Sequence, residues 1–149
     1  MSEKNPIRVD VLHLFRADSN YLRLFEFLES VERFFYVNTS NPDHLPASGG
    51  LVAIKDEYIA QIKAAEVAII LASQFDENAD LLRYQVDVAE AKGKPVIVIR
   101  PFGGVQETPN ELAKRARKHL EWNEREIVDA VRLLARHEDT ARWDVIDFP

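Results

Sequence analysis

One amide side chain, that of Gln85, is predicted to be buried, where a polar group needs hydrogen-bond partners. Residues 79–92 predict a helix, and at about 100° per residue Gln85 falls near the middle of its apolar arc. A buried amide without partners costs roughly 1–3 kcal/mol. Two interpretations are open: a core glutamine bonded to a loop carbonyl, or a pocket residue beneath the loops after the first and third strands. Its position favours the pocket.

Other side chains with ligand-binding chemistry follow predicted strands. Phe15 and Arg16 end the first strand, Asp18 follows it, and Ser73 comes after the third strand. Arg16 suits a phosphate contact and equally suits an ion pair with Asp18. Ser73 has no His or Asp arranged with it as a nucleophile requires, so we expect it to line a pocket. The four histidines lack metal-ligand spacing with a carboxylate, and no metal site is expected.

Strands and helices alternate along the chain, and this order decides where those side chains meet. The predicted strands are residues 8–15, 34–37, 67–72, 95–99 and 120–122; the predicted helices are 21–31, 53–64, 79–92, 110–116 and 124–136. The almost wholly apolar runs 67–72 and 95–99 are typical of parallel strands covered on both faces, central or next to the centre of a sheet. The pattern predicts a doubly wound, flavodoxin-like α/β fold with a five-stranded parallel sheet in the order 2-1-3-4-5.

In such a fold, ligands bind beyond the carboxyl ends of the strands, near strands one and three. We predict one domain over residues 1–149, with the tail from about residue 137, including Trp143, packed on the body. The loop 38–50 is the longest and is rich in Asn, Pro, Ser and Gly. We expect it to be the most mobile loop and to help close a pocket.

Composition excludes several classes of protein. The formal net charge of -6 argues against general nucleic-acid binding, and no apolar run approaches the ~20 residues that span a bilayer. There is no cysteine and no secretory signal at the amino terminus, so a cytoplasmic protein without a membrane partner is expected. The segment FRADSN contains no glycine, which excludes a dinucleotide fingerprint after the first strand.

The segment VAIILASQFDENADLLRYQVDVAEAKGKPVIVIRPFG resembles the central block of TIR-like domains, most closely the small bacterial group that includes the sensor subunits of Thoeris antiphage systems. In that group a strand ending in a small residue and Ser precedes a helix with the pattern Trp-x-x-x-Glu-Ile, and then Gly-Lys-Pro-Ile-Ile-x-Val-Arg-Pro. The resemblance covers about residues 8–134, and loop 38–50 corresponds to the TIR BB loop. The family's Trp is Leu81 here, and its catalytic Glu aligns with Gln85.

The resemblance implies an enzyme that cleaves the nicotinamide–ribose bond of NAD, which is a substrate and not a cofactor, and makes an ADP-ribose-type signalling nucleotide in antiphage defence. It also implies a separate effector protein that is reached through the nucleotide, a phage protein as trigger, and a homo-oligomer formed through the BB loop. Substrate contacts would come from residues at the carboxyl edge: Phe15, Arg16, Asp18, Ser73 and Leu81. Gln85 lacks the charge that stabilises an oxocarbenium-like transition state, so low activity is expected, and Gln85→Glu is expected to raise turnover.

Several alternatives are open. The chain is either a natural non-catalytic member of the group or carries Gln85 as a near-isosteric replacement of Glu, and the retained helix pattern favours the replacement. A TIR-like interaction or nucleotide-binding module is the main alternative function. A nucleoside deoxyribosyltransferase shares the fold type but needs a catalytic Glu, and the amide at position 85 counts against it.

Overall fold

The computed structural model describes residues 1–103 and 106–138. The strands are β1 (Ile7–Val11), β2 (Tyr36–Asn38), β3 (Val67–Leu71), β4 (Val96–Ile99) and β5 (Lys118–Leu120), and the helices are α1 (Ser19–Glu29), α2 (Gly50–Lys63), α3 (Ala79–Ala91), α4 (Asn110–Arg115) and α5 (Glu124–Arg136). All neighbouring strands pair in parallel, in the order β2-β1-β3-β4-β5. The predicted doubly wound, flavodoxin-like fold is therefore confirmed. The predicted packing of the tail, with Trp143, lies outside the described residues beyond position 138.

The sheet separates two apolar cores. Every residue of β3 and β4 is buried, and β3 is the central strand, which confirms the prediction for the two apolar runs. Because side chains alternate along a strand, Ile69 and Leu71 face α1 and α5. Ala68 and Ile70 face α2, α3 and α4. Helices thus cover both faces of the sheet, as the unbroken apolar runs required.

The edge strand β5 differs from the prediction. It occupies Lys118–Leu120, two residues before the predicted run 120–122, with Lys118 opposite Ile97 of β4. Lys118 and His119 are exposed, because β5 is at the edge of the sheet. Polar residues do not form the apolar pattern typical of a strand, so the sequence pattern did not place the strand at these positions. Trp122 lies beyond it and donates its indole N–H to the Arg100 carbonyl at 2.9 Å.

Asparagine and aspartate side chains start three helices at the carboxyl edge of the sheet. Asp18 accepts from the Tyr21 amide at the start of α1, Asn78 from the Leu81 amide at the start of α3, and Asn123 from the Glu126 amide at the start of α5. These oxygens bind amides that have no partner within the helix. The caps fix where the chain leaves each strand-end loop, and so position the candidate site.

Gly49 precedes α2, which begins three residues earlier than the predicted residue 53. Its φ of +96° is left-handed, and a Cβ there would lie 2.8 Å from the Ala53 Cβ. We expect Gly49→Ala to lower the free energy of unfolding by about 2 kcal/mol, from backbone strain and overpacking together. Gly93 has a φ of +70° but open space around the added Cβ, so urea denaturation of Gly93→Ala measures strain alone. Equal losses in the two variants would contradict the steric contribution.

Candidate functional site

The loops after β1 and β3 lie side by side at the carboxyl edge and are joined by hydrogen bonds. The Asn20 amide donates to Ser73 Oγ at 2.9 Å. Gln74 Nε2 donates to Asp18 Oδ2 at 3.1 Å, while Asp18 Oδ1 caps α1. Two of the predicted site residues, Asp18 and Ser73, are therefore brought to neighbouring loops, and both already have protein partners.

Arg16 reaches across the same two loops. Its guanidinium forms an ion pair with Glu77, which follows β3, and both side chains are about half exposed. The expected alternative partner, Asp18, is instead bonded to Gln74 and the start of α1. The pair with Glu77 offsets the positive charge that a phosphate contact by Arg16 would use.

Gln85 lies directly beneath the loop after β1 and is 1% exposed. Its Oε1 accepts from the His13 amide at 3.3 Å, and its Nε2 donates to the His13 carbonyl at 3.0 Å and to the Leu81 carbonyl at 3.3 Å. Both hydrogens of the amide are thus donated to main-chain oxygens. The amide is bonded to a loop carbonyl, as the core interpretation expected. The side chain also lies beneath the loop after β1, as the pocket interpretation expected.

His13 organises the chain above Gln85. Its Nδ1 accepts from the Phe15 amide at 3.0 Å, so the ring hydrogen is assigned to Nε2, which lies 2.7 Å from Gln61 Oε1. Its carbonyl accepts a second bond from Tyr58 Oη at 2.8 Å. Burial lowers the pKa of the imidazole, although the bond to Gln61 and the charge of Glu57 oppose the shift. His13 is therefore neutral at pH 7.

Phe15 adopts a left-handed backbone conformation, with φ of 58°. Such a conformation costs about 1–2 kcal/mol for a residue with a side chain. Its amide is held by His13, and its ring stacks on Tyr58 with centroids 4.8 Å apart. Phe15 and Leu81 each pack against the apolar core on the same face of the sheet. The two predicted substrate-contact residues are thus partly buried against α2 and α3.

Gln61 holds the loop after β2 in the way that Gln85 holds the loop after β1. Its Oε1 accepts from the Asn41 amide at 2.9 Å, and its Nε2 donates to the Asn41 carbonyl at 3.2 Å and to Glu57 at 2.8 Å. The first part of loop 38–50 is therefore anchored to α2. That this loop is the most mobile one stays a prediction.

Asp10 is a buried acid in β1, 1% exposed. Its Oδ1 has no hydrogen-bond partner among the residues that the structure describes. Burial raises the pKa of the Asp10 carboxyl to about 7. Because Val9 and Val11 face α1 and α5 and side chains alternate along a strand, Asp10 faces the side of the sheet on which Tyr58 lies. The Asp10 charge also contributes, after burial, to a raised pKa of Tyr58.

The sequence reasoning missed several buried residues with polar groups in this region, among them Asp10, His13, Tyr58 and Gln61. One signal was present for Asp10. The strand RVDVLHLF is an inner strand in the predicted order, and in a doubly wound parallel sheet helices cover both faces of such a strand. An acid in its middle is therefore buried whichever way it points.

Three exposed apolar side chains lie near the start of α2. Leu45 is 56% exposed, Leu51 55% and Val52 71%. We call these three residues the α2 apolar surface. All three follow the anchored part of loop 38–50 in the chain, and exposed apolar side chains that group together are typical of contact surfaces.

Within residues 1–103 and 106–138, no three acidic or histidine side chains are grouped so that they could hold a metal ion. No helix in the same part of the chain is long and apolar enough to cross a membrane. Comparison with models of known protein families finds no match to this chain, and comparison with curated protein sequences finds none either.

Proposed function

We propose that this chain is a non-catalytic TIR-like module of the cytoplasm that acts through protein contacts. The proposal rests on the burial and hydrogen bonding of Gln85. Its side chain is 1% exposed, and its amide is bonded to the main chain of His13 and Leu81. A residue that touches the ribose of NAD needs polar atoms directed towards a ligand. Here those atoms support the loop instead.

The α2 apolar surface supports a contact role. Leu51 and Val52 lie in the first turn of α2 and are more than half exposed, which costs free energy unless a partner covers them. The resemblance to TIR-like domains favours a second copy of the chain as the partner, because loop 38–50 corresponds to the BB loop.

Substitution of the α2 apolar surface tests the proposal. We expect the chain to self-associate in sedimentation equilibrium, and Leu51→Ser with Val52→Ser to weaken association about tenfold or more. Leu22→Ser is the matched control, because Leu22 is 54% exposed on α1 and should leave association unchanged. A chain that stays monomeric up to millimolar concentration, or equal association of all three proteins, would overturn the proposed role.

A second candidate is an NAD-cleaving enzyme that is impaired because Gln85 replaces a catalytic Glu. The position of Gln85 favours it, since the residue lies beneath the loop after β1, where β1 and β3 form the switch point at which ligands bind in such sheets. The product would be an ADP-ribose-type nucleotide that signals to a separate effector in antiphage defence. The two candidates differ in one measurable consequence: a carboxylate at position 85 restores turnover only in the enzyme.

A further inference from the structure

Two buried glutamines hold two loops in the same manner. Gln85 accepts from the His13 amide and donates to the His13 carbonyl. Gln61 accepts from the Asn41 amide and donates to the Asn41 carbonyl. Each side chain therefore replaces the pair of hydrogen bonds that a neighbouring strand would make, the first for the loop after β1 and the second for the loop after β2.

The His13 imidazole joins these two arrangements. Its Nε2–H donates to Gln61 Oε1 at 2.7 Å, the same oxygen that accepts the Asn41 amide. Its Nδ1 accepts the Phe15 amide, which belongs to the loop after β1. An unbroken series of hydrogen bonds thus runs from Phe15 through His13 and Gln61 to Asn41.

We propose that His13 is a positioning residue that couples the loop after β1 to the loop after β2, so that a displacement of Phe15 is transmitted to Asn41. His13 and Gln85 are each 1% exposed and Gln61 is 6% exposed, so water cannot readily replace a broken bond among them. Because an unpaired buried polar group is costly, the series either stays whole or rearranges as a unit. A second arrangement, adopted by the whole series together, would be the two-state element that coupling between sites requires.

The coupling has a consequence for the proposed function. Asn41 lies four residues before Leu45 of the α2 apolar surface, so contacts made at Phe15 would alter the presentation of that surface. A small molecule or protein segment that seats on the loop after β1 would thereby regulate assembly. This consequence rests on the proposed function, whereas the coupling itself does not.

Amide hydrogen exchange of the folded chain tests the coupling without reference to assembly. We expect Phe15→Ala to raise the exchange rate of the Asn41 amide about fivefold or more. Phe102→Ala is the matched control: Phe102 is a half-exposed ring at the same edge of the sheet, and its contacts are with Arg23 and Trp122. It should leave the Asn41 rate unchanged.

Two substitutions of His13 separate its two bonds. In His13→Asn, the new side chain places an acceptor near the position of Nδ1 but does not reach Gln61. In His13→Gln, the new side chain reaches Gln61 but offers no acceptor beside the Phe15 amide. In either background Phe15→Ala should no longer change the Asn41 rate, and His13→Gln alone should raise exchange at Phe15 but not at Asn41. If one variant does not fold, the other carries the test. An Asn41 rate unaffected by Phe15→Ala, or an effect that persists in the His13→Asn background, would overturn the proposal, whether or not the chain self-associates.

Discussion

Asp10→Asn is expected to stabilise the folded chain by about 4 kcal/mol at pH 8. The carboxyl is buried with an unpartnered oxygen, and burial raises its pKa from 3.8 to about 7. Each pKa unit corresponds to about 1.4 kcal/mol of free energy, so ionising Asp10 inside the fold costs about 4 kcal/mol more than ionising it in the unfolded chain. The amide is neutral and nearly isosteric, and it removes that cost.

The sign of the pH dependence follows from linkage. The folded chain binds the Asp10 proton more tightly than the unfolded chain does, so stability is greatest below about pH 4 and is lost as the pH rises towards 7. The gain from Asp10→Asn should therefore be small at pH 4, grow through this range and level off above it. The lowered pKa of His13 acts in the opposite direction, but it is common to both proteins and cancels in their difference.

Urea denaturation at pH 4.5, 6 and 8 measures this effect. Asp43→Asn is the control, because Asp43 is exposed in loop 38–50 and its substitution should change stability little at any pH. A gain from Asp10→Asn that is the same at all three pH values would contradict the assignment of Asp10 as a buried titrating group.

Gln85→Glu is expected to destabilise the fold by about 3 kcal/mol at pH 8. A carboxylate cannot donate to the His13 and Leu81 carbonyls, which now accept from Nε2 at 3.0 and 3.3 Å. It would face both oxygens in a site that is 1% exposed, and only the His13 amide would remain as a donor. Leaving buried acceptors unpaired costs about 1–3 kcal/mol, and more where a charge is involved.

Burial and the two carbonyls should raise the pKa of the introduced carboxyl. Protonation restores one donated hydrogen bond, so the loss of stability should diminish as the pH falls towards 4. Gln85→Met is the matched control, since it removes the hydrogen bonds without adding a titrating group, and its deficit should not depend on pH in this way. Identical pH profiles for the two variants would show that position 85 is more open to water than its contacts indicate.

The same Gln85→Glu protein separates the two candidate functions. The non-catalytic module should show no NAD cleavage with either residue, alone or mixed with phage-derived proteins. The impaired enzyme should gain two to three orders of magnitude in turnover, about the effect of an electrostatic group that stabilises a transition state. Circular dichroism under the assay conditions ensures that folded protein is compared. A gain of that size would establish the enzyme and end the non-catalytic proposal.

Periodicity and local hydrogen bonding were enough to predict the architecture. The apolar runs of β3 and β4 require cover on both faces, and the alternation of strands and helices predicts a parallel sheet. Right-handed crossovers leave few topologies for such a sheet, and the usual one, β2-β1-β3-β4-β5, is observed. Helix α5 has the predicted bounds, residues 124–136, because Asn123 marks its start locally. The inward direction of Gln85 also followed from the helix wheel alone, since every third or fourth residue of a helix shares a face.

Only the tertiary structure decided what these inward side chains touch. Gln85 bonds the main chain of His13, 72 positions away along the chain, and Gln61 meets the His13 imidazole across 48 positions. Arg16 pairs with Glu77, although Asp18 is much closer in sequence. Periodicity indicates which face of an element is covered but not which atoms meet there. Which atoms meet depends on strand order and register. For this reason Gln85, which the sequence predicted to contact a ligand, instead supports the loop after β1.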